Sequence, residues 1–198
     1  MYRKILVALD RSDLADRVLD EAIDLAKATA GSLMLVHVLT SEEDGAPQAA
    51  TIGTSMDYWY ASTDLLTSYR DSWKRYEKDC QHRLEWQAEL AKKQGLEVEW
   101  SQQFGPPGRS ICELADAWKA DLIVMGRHGR RGLSELLMGS VSNYVTHHAR
   151  CAVLLVGLPS EVMEETTSGE WEQRTNEAVG VGNAENTTQS DTSKTVSV

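Results

Sequence analysis

"DLIVMGRHGRRGLSELLMGSVS" occupies residues 121–142. An unbroken apolar run ends at Met125 and gives way to Gly126, Gly129 and Gly132, then to Gly139 and the serines 140 and 142. An apolar run of this length without alternation is the pattern of a strand covered on both faces, as in a parallel sheet. "GSVSNYVTHHA" (139–149) then reads as the start of a helix. Strand, glycine-rich turn and helix in that order point to an α/β protein.

The same pattern recurs along the chain. "KILVALD" (4–10), "SLMLVHV" (32–38) and "CAVLLVG" (151–157) are nearly continuous apolar runs and read as buried strands, whereas "LEVEWSQQFG" (96–105) alternates and reads as a weaker strand near an edge. Helical spacing fills the gaps. Over 13–31 the apolar stripe is Leu14, Val18, Ala22 and Leu25, widened by Ala15, Leu19, Ile23 and Ala26, with Ser12 or Asp13 as cap and Gly31 as terminator. Over 63–94, Leu66, Tyr69, Trp73, Tyr76, Cys80, Leu84, Ala88 and Ala91 recur every three or four residues; over 108–120, Ile111, Leu114, Ala115 and Trp118 face inward. Five strands alternating with four helices predict an open, mostly parallel sheet with helices on both faces.

With 198 residues, 41% hydrophobic and 25% charged, the chain is long enough for one domain with a proper core. A net charge of −10 argues against a general affinity for nucleic-acid backbones. No run approaches the roughly 20 apolar residues of a membrane span, and none resembles a signal peptide, so the cytoplasm is the expected location. Cys80, Cys112 and Cys151 lack CxxC spacing and read as small apolar side chains in a reducing compartment. Two stretches fall outside a minimal α/β pattern. Residues 40–62 form a long connection with Tyr58, Trp59 and Tyr60 at its tip, and 159–198, rich in Glu, Thr, Ser and Asn, reads as a disordered acidic tail behind a domain of 1–158.

In open α/β sheets ligands bind at the carboxyl ends of strands, where the strand order reverses. Glycines there admit positive φ and let an anion approach main-chain N–H groups, and a helix start adds its dipole. Gly126, Gly129, Gly139, Ser140 and Ser142 have these properties, and Arg127, Arg130 and Arg131 add positive charge. Neither GxxxxGK[ST] nor a GxGxxG after the first strand occurs, which counts against P-loop hydrolases and standard dinucleotide binders. His147 and His148 are adjacent, unsuited to shared metal ligation on a helix, and His128 reads equally as a phosphate contact or an exposed side chain. No nucleophile–base pair stands out, so an efficient enzyme is not expected.

The spacing Gly126-x2-Gly129-x9-Gly139-Ser140, the opening "KILVALDRSD", "LVHV" at 35–38 and "CAVLLV" at 151–156 resemble the ATP-binding branch of the universal stress protein family over roughly residues 1–157. The resemblance implies a Rossmann-like sheet of strand order 3-2-1-4-5 and an ATP (or AMP) site. In it Asp10 lies near the ribose or phosphates; since magnesium takes one or two carboxylates together with phosphate oxygens, the same Asp10 is expected to help hold such an ion indirectly. The backbone of Val38 meets the adenine, and Gly126, Arg127, Gly129, Gly139, Ser140, Val141 and Ser142 surround the phosphates. It also implies a homodimer through the last strand, 151–156, and a role as a stress sensor or regulator read by a protein partner. A slow ATP hydrolase and a non-nucleotide scaffold are the alternatives. Arg11 departs from the glycine often found after the first-strand Asp; it either adds a phosphate contact or crowds the entrance.

Overall fold

The computed structural model describes residues 1–43, 45–48, 58–127 and 138–157, with side chains from residue 65 on in the second helix. Met1–Gly157 forms one compact unit. The elements are β1 (Lys4–Ala8), α1 (Ala15–Thr29), β2 (Ser32–Leu39), α2 (Tyr58–Lys93), β3 (Val98–Phe104), α3 (Pro107–Trp118), β4 (Leu122–Gly126), α4 (Ser140–His148) and β5 (Ala152–Val156). All pairings are parallel, and the sheet order is β3-β2-β1-β4-β5. The expected doubly wound, Rossmann-like architecture and its strand order are therefore present.

Strand alternation divides the core into two layers. Ile5, Val7, Leu33, Leu35, Leu122 and Val124 face α1 and the C-terminal half of α2. Leu6, Met34, Val36, Ile123 and Met125 face α3 and α4 through Ile111, Ala115 and Val145. Both sides of the central strands are covered, which is why their sequences are unbroken apolar runs.

Four local readings are corrected. The N-cap position of α1 is Leu14, not Ser12 or Asp13, and carries no side-chain hydrogen bond, while the Ser12 hydroxyl is bonded to Asp10. Gly31 does not supply the left-handed residue that ends the helix; Ala30 does, at φ 49°. Gly31 N–H still closes the last turn on Ala26 O, and a Cβ at Gly31 would sit 3.1 Å from the carbonyl oxygens of Tyr2 and Arg3. Close backbone approach, rather than positive φ, explains that glycine. The stripe of α2 is buried only from Tyr76 through Ala91; Leu65 and Leu66 are exposed. Thirty-six helical residues span about 54 Å, whereas the longest strand, of eight residues, spans about 26 Å, so the helix outruns the layer that could cover it.

The fourth correction concerns β5, which is an edge strand and not a fully covered one. Ala152 and Leu154 are exposed although Leu122 and Val124, their partners in register, are buried. The edge position read for β3 holds.

Helices α3 and α4 meet closely at Gly108, where an added Cβ would lie 2.7 Å from Tyr144 Cδ1 and 3.0 Å from Tyr144 Cβ. The latter atom is bound to the backbone of α4 and cannot swing aside. Gly108→Ala is expected to destabilise the chain by about 1–3 kcal/mol, the usual cost of overpacking, and Gly108→Ala/Tyr144→Ala to regain part of it. Urea unfolding of the single and double variants checks this.

Candidate functional site

The sheet register brings the predicted residues to one edge. Ala8 of β1 lies beside Val36 of β2 and Met125 of β4, so Asp10, Val38 and Gly126 all stand at the carboxyl ends of three neighbouring strands. The chain leaves β1 toward β2 and reaches β4 from β3, on the other side of β1. The β1/β4 gap is thus the switch point at which such sheets hold ligands.

Asp10 is half-buried in the turn after β1, where Oδ1 accepts hydrogen bonds from the N–H (3.0 Å) and hydroxyl (2.5 Å) of Ser12. These bonds orient the carboxylate toward the turn without making it the cap of α1. Val38 is 7% exposed, close to the carboxyl end of β2.

Across the gap, the base of the glycine loop is tied shut. Arg127 N–H donates to Val156 O (2.8 Å), and Arg127 O accepts from Gly139 N–H (3.1 Å). Ser142 is 2% exposed, and its hydroxyl lies 2.8 Å from Arg127 O and 3.0 Å from Gly139 O. It has one proton to donate, so it pins the start of α4 to the end of β4. Ser140 is exposed and Val141 half-buried in the first turn of α4. N–H groups of a first helical turn find no acceptor inside the helix, and the helix dipole favours an anion beside them. The arrangement thus brings Asp10, Val38, Gly126, Arg127, Gly139, Ser140, Val141 and Ser142 to one end of the sheet. Gly129, His128, Arg130 and Arg131 lie outside the described residues, as do Asp44, 49–57 and the tail 158–198. His147 and His148 are exposed at the far end of α4, with His148 stacked on Tyr144 at 3.9 Å.

The sequence reading passed over a second polar cluster beside this edge. His37 Nε2 donates to Glu43 Oε1 (2.8 Å), and the Tyr76 hydroxyl donates to Glu43 Oε2 (2.6 Å). Arg11 turns its guanidinium over the Tyr76 ring, 5.2 Å from the centroid, and so packs toward α2 and the turn at Gly45. The available signal was His37 itself, an imidazole inside an otherwise apolar strand. The aromatic stripe of α2 serves packing here: Trp73 meets Tyr69 and Tyr76 edge-on, and Tyr76 and Cys80 pack on Leu39 and Ala46.

Burial works against ionising Glu43, but the hydrogen bond and charge of His37, followed by the Tyr76 hydroxyl and Arg11, outweigh it and hold the carboxyl below its ordinary value of 4.5. Burial and the bond to Glu43 push the Tyr76 phenol upward. A carboxyl depressed in the folded chain stabilises it above the unfolded value and loses that contribution as pH falls through the folded one. The native chain is therefore expected to lose more stability below about pH 4.5 than Glu43→Gln does. Urea midpoints measured at pH 6 and pH 3.5 check this.

A parallel sheet of this order with a closed glycine turn at its switch point defines a Rossmann-like α/β protein. The model of the universal stress protein family matches residues 1–157, and the chain belongs to that family. It is 37% identical over 155 residues to universal stress protein Sll1388 of Synechocystis sp., covering 78% of this chain and 97% of the relative. It is 32% identical to universal stress protein YxiE of Bacillus subtilis, with 79% and 99% covered. Among solved structures, hypothetical protein MJ0577 is similar in fold at a TM-score of 0.62 and 23% identity, covering 80% of this chain and 98% of that one. Universal stress protein UspA from Lactobacillus plantarum follows at 0.55 and 23%, with 78% and 97% covered. No described helix is long and apolar enough to cross a membrane.

Proposed function

We propose that the chain binds ATP with magnesium in the crevice between β1 and β4 and works in the cytoplasm as a nucleotide-dependent regulator. In this reading Asp10 faces the ribose or phosphates and helps to hold the ion, and Val38 meets the adenine through its backbone. Gly126, Arg127, Gly129, Gly139, Ser140, Val141 and Ser142 enclose the phosphates. The observation that carries the reading is the Arg127–Gly139 closure: it ties a glycine-rich loop to a helix start opposite a carboxylate at the switch point. A hard cation with few protein ligands suits Asp10, since magnesium takes one or two carboxylates together with phosphate oxygens.

Isothermal titration of nucleotide-stripped protein with ATP and magnesium tests this. Micromolar binding without turnover supports a regulator; steady phosphate release lost in Asp10→Ala transfers the role to a slow hydrolase. Absence of heat, and of displacement by any adenine nucleotide, overturns the reading. Titration with AMP alongside shows whether the β- and γ-phosphates contribute.

We further propose that pairs form through the β5 edge, where Ala152 and Leu154 of an apolar strand are exposed. Unpaired apolar edges are seldom left open. Light scattering is expected to give a dimer mass for the native chain and a monomer mass for Leu154→Arg. A native monomer at micromolar concentration removes the proposal.

A further inference from the structure

His37 breaks the apolar run of β2 and is 5% exposed. With Nε2 donating to Glu43, its Nδ1 is a buried polar atom without a hydrogen-bond partner among the described residues. Nε2 is the ring nitrogen on the Glu43 side, 2.8 Å from Oε1, and so is the one that can share an ion with that carboxylate, while Nδ1 faces away across the ring. Cys80, one helical turn beyond Tyr76 on α2, is 4% exposed. One donor atom each from His37, Glu43 and Cys80 lie within 4.8 Å of one another. A cavity of about 10 Å³ is lined by His37, Cys80, Asp10 and Gln87 among others, roughly the space one water occupies.

We propose that His37, Glu43 and Cys80 form a binding site for a divalent transition-metal cation of the zinc type. Nitrogen, sulfur and oxygen donors together suit zinc, whereas magnesium and calcium take oxygen ligands. Tetrahedral zinc with bonds near 2.0–2.3 Å needs ligand atoms about 3.3–3.7 Å apart. The widest separation must therefore shrink by about 1 Å, within the reach of side-chain rotation in Glu43 and Cys80. Three protein ligands leave a fourth position, and the adjoining cavity has room for the water that would fill it.

The charges balance. A 2+ ion with one carboxylate and one thiolate is neutral as a unit, so its burial carries no net charge. Two protons give way as the metal bonds form: the thiol proton leaves to solvent, and the Nε2 proton that pointed at Glu43 is replaced by one at Nδ1, leaving a neutral imidazole. Tyr76, bonded to Glu43 Oε2, holds the carboxylate in place as an outer partner of the site. Arg11 and Arg83 are the cations that line the same cavity. Arg83 has its side chain 39% exposed and lies 3.7 Å from Asp16, which screens it, whereas the Arg11 guanidinium reaches Cys80 and Tyr76, where its charge favours the thiolate as an outer partner of the site. Asp10 borders the same cavity, which places the cluster beside the nucleotide crevice, but the proposal does not rest on nucleotide binding.

Titration of the chelator-treated full chain with Co²⁺, followed by absorption, tests it. The expected result is one Co²⁺ per chain with a thiolate-to-cobalt charge-transfer band, displaced by Zn²⁺. That band is expected to vanish in Cys80→Ser and to persist in Cys112→Ser/Cys151→Ser. Glu43→Gln, which keeps the shape of the side chain, is expected to weaken binding by about 10–100-fold and stands in if Cys80→Ser fails to fold. No charge-transfer band in the native chain at millimolar Co²⁺, or a band unchanged in a folded Cys80→Ser or Glu43→Gln chain, overturns the proposal. Nucleotide affinity measured on the same samples reads the other site separately.

Discussion

A Gly129→Val chain is expected to keep its melting temperature and to bind ATP about 100-fold more weakly, or not measurably. The base of its loop is held by bonds that do not involve residue 129: Arg127 N–H to Val156 O, Gly139 N–H to Arg127 O, and the Ser142 hydroxyl on the carbonyls of Arg127 and Gly139. The fold can therefore tolerate the change. A β-branched side chain resists positive φ and stands between main-chain N–H groups and an approaching phosphate. Losing one or two charge-assisted hydrogen bonds of about 1.5–3 kcal/mol each accounts for a 100-fold effect, which corresponds to about 2.7 kcal/mol. Titration calorimetry and a thermal melt on the same preparation check both halves. Unaltered affinity in a folded variant would remove the loop from the site.

Leu6→Ala is expected to lower the unfolding free energy by about 2–5 kcal/mol and the melting temperature by roughly 4–20 °C. Leu6 is 0% exposed in β1, the middle strand of five, and its neighbours across the sheet are Met34 and Ile123. The α3 side of the core encloses it with Val36, Ile111 and Val145. Neighbouring strands on both sides fix the backbone, so the space left behind cannot collapse fully. Urea unfolding monitored by circular dichroism measures the loss; a change below 1 kcal/mol would mean that this layer relaxes far more than its packing implies.

Much of the candidate site was legible because its parts are local. Gly126, Gly139, Ser140 and Ser142 sit within one strand–turn–helix stretch, and the run ending in Asp10 is another. The same reading was silent about what those side chains do. Ser142 is a first-turn serine in the sequence, yet its hydroxyl is committed to two carbonyls and acts as a staple. Asp10 holds Ser12, a pairing that left α1 without the expected cap. Arg11, open in the sequence between phosphate contact and obstruction, is drawn to the Tyr76 ring, 65 positions away.

By itself the sequence determined the class of fold, the order of its elements and the sheet edge at which the glycine loop lies. Hydrophobic period and glycine placement are set by neighbours along the chain, and these can be read from a string of letters. Only the tertiary structure decided that Ala152 and Leu154 of β5 are left exposed, that α2 outruns its cover, and that His37, Glu43, Tyr76 and Cys80 meet. An apolar run reports that burial is favourable; what covers it depends on how far a helix layer extends. Likewise a histidine, a glutamate and a cysteine from β2, a turn and α2 become one cluster only when the sheet and its crossover bring them together.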